Sequence, residues 1–264
     1  MKRISIFLFC LSAPFLLTTC KKGEGFNLFS VQDDVELGRQ LRDEVLANPQ
    51  EYPILDRNQY PAAYNYVEDI VADILASGEV TYANEFAWEV YIIHDDETLN
   101  AFAAPGGYIF VYTGILKFLD QKDDFVGVMG HEMAHADRRH STQRLTKAYG
   151  VSLLLDVLVG NDQSLIADIL ASLVVLKFSR EDESEADQYS VIYLCETEYA
   201  ANGAASFFEK LIAQGSVSPP EFLSTHPNPD NRVEDINMEA DDRGCDTTFD
   251  SSVMEWQDFQ ASLP

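Results

Sequence analysis

GHEMAHADRRH, Gly130 to His140, sets two histidines four residues apart with a glutamate directly after the first. On an α-helix four residues turn through about 400°, which leaves His131 and His135 about 40° apart on one face. Both imidazoles can then point at one ion. Glu132 follows at about 100° from His131, near enough to reach a water on that ion without ligating it. The H-E-x-x-H pattern serves that division of labour, two neutral nitrogen ligands and one carboxylate base. The cofactor it predicts is one zinc ion per chain, which needs a third protein ligand and keeps a fourth position for water.

The extended metzincin pattern would put a glycine and a third histidine shortly after the second. Those positions hold Arg138 and Ser141, which excludes that class. His140 lies five residues past His135, about 140° around a continuous helix, and reads as a surface or helix-end histidine. A better source of the third ligand is SREDESEADQ, Ser179 to Gln188, where Glu183 and Asp187 are four apart and share a helix face. Glu183 can complete a His₂Glu set. Asp187 can accept the outer N–H of a ligating histidine and so fix its tautomer. An acidic run of this kind is by itself a solvated helix face; the upstream motif gives it the other reading.

HEMAHADRRH, followed after a long apolar insert by SREDESEAD and then by STHPNPDNR, resembles the HtpX/BepA-like family of gluzincin zinc metallopeptidases. These are membrane-associated enzymes related to the CAAX prenyl endoprotease. NAFAAPGGYIFVYTGIL, Asn100 to Leu116, is similar to the family's segment before its active-site helix. The resemblance runs through four ordered motifs from Asp33 to Met238. By position it implies zinc on His131, His135 and Glu183, Glu132 as general base, and Asp187 behind a ligand. It also implies a mostly helical, zincin-like α+β domain with a small β-sheet.

Thr225-His226-Pro227 is the remaining motif, with Arg232 six residues after the histidine. Proline restricts the turn, so His226 can be held over the fourth zinc position. There it either stabilises the oxyanion of a tetrahedral intermediate or caps the resting metal. The alternative is a loop histidine bonded for structure. Arg232 can anchor the loop or hold a ligand carboxylate.

The rest of the chain places this chemistry. Of 264 residues 46% are hydrophobic, enough for one sizeable core, and the formal charge of −26 makes nucleic acid a poor partner. Residues 1–19 carry Lys2 and Arg3 ahead of an apolar stretch and resemble a bacterial lipoprotein signal, with Cys20 as the lipidated residue. A plain secretory signal is the competing reading, since Thr19 stands where glycine or alanine is usual. Residues 20–32 are expected to be a lipidated tether and 33–264 a single domain. That predicts export to the periplasmic side of the envelope, with a lipid anchor in a membrane, the outer one favoured. Cys195 and Cys245 remain as a pair for one disulfide in an oxidising compartment, or as two buried thiols.

Helical spacing begins at Asp33 and recurs from Tyr60 to Leu75. Phe86–Ile93 and Tyr108–Tyr112 read as strands. Asp123 and Asp124 offer an N-cap for a long helix through the histidines, with Arg138, Arg139, Arg144 and Lys147 toward its end. The apolar segment Val151–Phe178 is broken by Asp156, Gly160-Asn161-Asp162 and Asp168, so two short helices roofing the cleft are expected in place of a membrane span. Ile109, Phe110 and Val111 are the candidate edge strand for an extended substrate. The function these features predict is hydrolysis of peptide bonds in unfolded or misassembled envelope polypeptides. Two alternatives stand beside it: an anchored chaperone or assembly factor with proteolysis secondary, and a purely structural zinc site.

Overall fold

The computed structural model describes residues 27–159, 163–174, 177–214, 221–226, 231–249 and 253–264. Helix α1, Val31–Ala47, starts at a capping box in which the Ser30 hydroxyl accepts from the Asp33 N–H and the Asp33 carboxylate accepts from the Ser30 N–H. Its apolar stripe of Leu37, Leu41 and Val45 faces inward. The residues just before it are folded too. Phe29 is buried, and the Asn27 amide donates to Thr142. Residues 27–32 thus pack on the fold, because an apolar ring and a helix cap both find partners there. Cys20 lies outside the described residues.

Helix α2, Pro61–Ala76, carries proline at its first position, where the missing N–H costs nothing. Three short strands follow: β1, Glu89–Ile93; β2, Ala101–Ala104; and β3, Tyr108–Tyr112. Their order is β1-β3-β2, with β1 parallel and β2 antiparallel to β3. β3 is thus the centre of the sheet, and Ile109, Phe110 and Val111 have partners on both sides. The expected edge strand is corrected: the edges are β1 and β2. Alternation along β3 divides two cores. Ile109 and Val111 join the larger one, while Tyr108, Phe110 and Tyr112 join a smaller one with α1.

Beyond α3, Thr113–Phe118, comes α4, Lys122–Asp137, whose residues from Asp123 onward are all buried. It packs against α7 (Arg180–Leu194), α8 (Gly203–Gln214) and β2, so it is the buried axis of the larger core. Gln121 occupies the N-cap; Asp123 and Asp124 sit two and three residues later, in the first turn. The helix also ends sooner than its charges suggest. Arg139 adopts φ 62°, a left-handed conformation, and a new helix α5, His140–Val159, begins after it. Arg144 and Lys147 therefore lie on α5.

Helix α6 spans Gln163–Val174, so the apolar segment does form two helices. α6 rests on α1, and its Ile166, Ile169, Leu170 and Leu173 fill the smaller core. Among the described residues that makes it a wall of that core and not a roof over the histidines. No helix among the described residues is long and apolar enough to cross a membrane. The chain closes with α9 (Glu221–Thr225), α10 (Arg232–Arg243) and α11 (Val253–Ala261). Cys195 at the end of α7 is joined to Cys245, just after α10, as a disulfide.

Candidate metal centre

Helix α4 presents His131 and His135 one turn apart, with their Nε2 atoms 3.0 Å from each other. It lies this deep because α7 and α8 approach it closely. A Cβ added to Gly127 would stand 2.0 Å from the Ala204 backbone nitrogen, and one added to Gly130 would stand 2.7 Å from Ser190 Oγ. Helix α7 begins at a second capping box, in which the Ser179 hydroxyl accepts from the Asp182 N–H. That start places Glu183 in the first turn, fully buried, with Oε1 at 3.5 Å from His135 Nε2 and Oε2 at 3.6 Å from His131 Nε2.

His226 follows α9 and enters the same space. Its Nδ1 lies 3.0 Å from Glu183 Oε1 and 3.3 Å from His131 Nε2, while its Nε2 lies 3.4 Å from Glu132 Oε1. Phe222 stacks on the His226 ring at 4.4 Å and Phe178 stacks on His135 at 4.0 Å, so aromatic faces keep water from the rings. Pro227, expected to shape this turn, lies outside the described residues.

One ligand atom from each of His131, His135, Glu183 and His226 lies within 4.8 Å of the others, and all four residues are buried. The donor chemistry fits a divalent cation. Three buried side-chain atoms here have no hydrogen-bond partner among the described residues: Glu132 Oε1, Glu183 Oε2 and Arg232 Nη1. Buried polar atoms without partners are uncommon. Counted formally, with the histidines neutral as ligands, Glu132, Glu183 and Asp187 bring three negative charges against the single positive charge of Arg232, and all four residues are buried. The remaining two negative charges match one divalent ion.

The electrostatics of the pocket make the same demand. Burial, with repulsion from His131, holds the His135 imidazole well below its ordinary value, so it is neutral as a ligand must be. For His131, burial and Arg232 act downward, yet Asp187 and Glu183 outweigh them and raise it to about 9. The carboxylates want positive charge at this point, from a proton or from an ion. Burial opposes ionisation of Glu183, but His226, His131 and His135 hold its carboxyl well below the usual range. Burial raises the Glu132 carboxyl, against the nearby histidines and the N–H of Ala103, which donates to it.

Behind the ligands, Asp187 Oδ1 lies 2.9 Å from His131 Nδ1, and Arg232 donates twice to Asp187. Arg232 Nη1 also stands 3.0 Å from Glu183 Oε2, without the alignment of a hydrogen bond. The structure thus brings His131, Glu132, His135, Glu183, Asp187, His226 and Arg232 together. His140 does stand at a helix end, the first position of α5, but not on the surface: it is 1% exposed and 2.9 Å from His135. Glu185, Phe178 and Phe222 gave no signal in the sequence. Acidic and aromatic residues are common on helix faces, and only the tertiary fold assigns these three to the site.

A glutamate built into the turn between two imidazoles on one helix face, with a carboxylate crossing from another helix, is the arrangement on which metallopeptidases of the H-E-x-x-H class work. Comparison with known proteins agrees, since the profile described as peptidase family M48 matches residues 61–240. The chain belongs to that family. A mitochondrial metalloendopeptidase OMA1 of Schizosaccharomyces pombe is 29% identical over 216 residues, 80% of this chain and 62% of that protein. A putative beta-barrel assembly-enhancing protease of Vibrio cholerae is 28% identical over 216 residues, 75% of this chain and 44% of that protein. The beta-barrel assembly-enhancing protease of Escherichia coli K12 is 29% identical over 178 residues, covering 61% and 36%. This chain therefore spans less than two thirds of the length of these relatives.

Proposed function

We propose that the chain is a zinc-dependent endopeptidase that hydrolyses peptide bonds in unfolded or misassembled polypeptides of the bacterial envelope. The observation that carries this reading is the convergence of His131, His135 and Glu183 beside a Glu132 oxygen with no hydrogen-bond partner among the described residues. Those three residues would hold the zinc. When bound, zinc supplies a Lewis acid that brings the pKa of a water to about 7 and polarises the scissile carbonyl. Glu132, with its proton affinity raised by burial, takes the proton of the attacking water and returns it to the leaving nitrogen. Asp187 keeps the Nδ1 proton of His131 in place, which leaves its Nε2 turned inward.

His226 stands between Glu132 and Glu183. We read it as the cap of the resting site, swinging away with α9 to admit substrate. A site closed permanently by His226 is the structural-metal alternative. It gives no role to the buried base Glu132.

Strand β2 takes over the substrate-binding role first assigned to β3. The Tyr112 N–H donates to the Asn100 carbonyl, which turns the main-chain groups of Ala101 and Ala103 away from β3. The Ala103 N–H reaches Glu132. An extended peptide added along this edge would lie against the base, and pairing of this kind reads main chain more than side chains. Such recognition suits unfolded polypeptides. The envelope location rests on the signal-like residues 1–19 and Cys20, and on the similarity to beta-barrel assembly-enhancing proteases; the mitochondrial relatives pull the other way. Lipid labelling that survives Cys20→Ala would remove the proposed anchor.

The test is digestion of a permanently unfolded polypeptide with parallel metal analysis. Chelation should stop cleavage and zinc should restore it. Cleavage by metal-free protein, or stoichiometric zinc with no cleavage of any unfolded chain, would sink the proposal.

A further inference from the structure

His135 has two ring nitrogens with different surroundings. Its Nε2 faces His131 and Glu183, and its Nδ1 lies 2.9 Å from Nδ1 of His140. The other nitrogen of His140, Nε2, lies 3.2 Å from Glu185 Oε2. Glu185 Oε1 accepts from Arg138 Nε at 2.8 Å, and that guanidinium rests over the Tyr189 ring at 4.4 Å.

The backbone makes this contact. On one uninterrupted helix, a residue five positions on would point about 140° away. The left-handed Arg139 ends α4 and starts α5 at His140, folding the second imidazole back over the first. Arg139 is held in that conformation by the Asp34 carboxylate and the Phe29 carbonyl, both on the N-terminal segment.

Two facing nitrogens share one hydrogen bond only if one carries a proton and the other does not. A His135 that offers the lone pair of Nε2 to an ion must carry its proton on Nδ1 and donate it outward. His140 Nδ1 must then be bare, which leaves the His140 proton on Nε2, directed at Glu185. A single proton arrangement satisfies the whole chain, from Glu185 through His140 to His135. His131 receives its support directly from a carboxylate, Asp187; His135 receives it through an intervening imidazole.

We infer that His140, backed by Glu185, is a positioning residue that fixes the tautomer and ring orientation of His135. This rests on the metal-site reading above. Such outer partners influence metal affinity by about 10- to 100-fold.

The experiment measures zinc affinity by chelator competition, and the His135 tautomer by long-range proton–nitrogen NMR, in the full chain and three variants. In His140→Leu, zinc binding should weaken by about 10- to 100-fold, and in the zinc-free chain His135 should lose its single Nδ1-protonated form. His140→Asn, whose amide oxygen can stand in for Nδ1 as acceptor, should stay close to the wild type. Glu185→Gln removes the charge at a partly exposed position. It should give an intermediate loss, which keeps the inference testable should leucine at position 140 unfold the chain. Unchanged affinity and tautomer in both His140→Leu and Glu185→Gln overturn the inference while leaving the metal site standing. A wild-type chain that takes up no zinc overturns the metal reading itself, a separate result.

Discussion

Arg232 grips Asp187 with two hydrogen bonds, Nε to Oδ2 at 2.6 Å and Nη2 to Oδ1 at 2.7 Å, and lays its guanidinium on the Phe208 ring at 3.8 Å. Asp187 in turn holds His131, so α10 supports a candidate ligand on α4 through a carboxylate on α7. Arg232→Met would leave Asp187 and Glu183 buried without their cation. The expected cost is about 3–5 kcal/mol in urea unfolding, together with weaker zinc binding. Arg232→Lys should not rescue it, because an ammonium cannot make the paired, planar contact. A loss below about 1 kcal/mol, the range of an exposed ion pair, would contradict this account of the buried pair.

Gly127 sets how closely α4 and α8 approach. A Cβ there would meet the Ala204 nitrogen at 2.0 Å and the Gly203 carbonyl carbon at 2.4 Å, both backbone atoms with no rotamer to change. Gly127→Ala gains helix propensity but must push α8 away, so it is expected to destabilise by about 1–3 kcal/mol. Thermal unfolding checks it; a raised melting temperature would show that the helices stand further apart.

The Cys195–Cys245 disulfide ties the ends of α7 and α10, which carry Glu183 and Arg232. Closing a loop with a sequence separation of 50 stabilises the fold by about 4 kcal/mol in the chain-entropy account. Reduction, or Cys195→Ser with Cys245→Ser, should lower the unfolding midpoint accordingly. An identical midpoint in reductant and oxidant would show that the bond does not form in solution.

Much of the site was legible in the sequence because helical periodicity converts spacing directly into geometry. Four-residue steps placed His131 with His135 and Glu183 with Asp187. What was not legible depends on single backbone angles and on who packs beside whom. The turn at Arg139 has no glycine to announce it, so α4 read as continuing past its true end and His140 read as a surface or helix-end residue turned away from His135. Strand β2 is four residues of AFAA, with no branched residue and only one aromatic to mark it as a strand. Without it, β3 looked like an edge. In the same way α6 read as a roof because its apolarity was visible while its partner α1 was not.

Asp95 and Asp96 lock the loop after β1. Hydrogen bonds from Thr98 hold the Asp95 carboxyl below its usual value, and those from Lys117 and Thr113 do the same for Asp96. A depressed pKa means that the unfolded chain binds protons more readily. The stabilisation is therefore present above the unfolded value of about 3.9 and is lost as pH falls through the folded values. Asp96→Asn should lower stability at neutral pH and flatten the acid limb of the stability curve. A parallel downward shift at every pH would mean that its charge is not what stabilises the loop.

The central claim, that a metal held by His131, His135 and Glu183 works with Glu132 as base, is tested most directly by Glu132→Gln. Zinc content and cleavage of an unfolded polypeptide should be measured on the same purified sample. The account predicts zinc bound at the wild-type ratio, with the cleavage rate reduced by about 10²- to 10⁴-fold. Cleavage at the wild-type rate with zinc in place would contradict it.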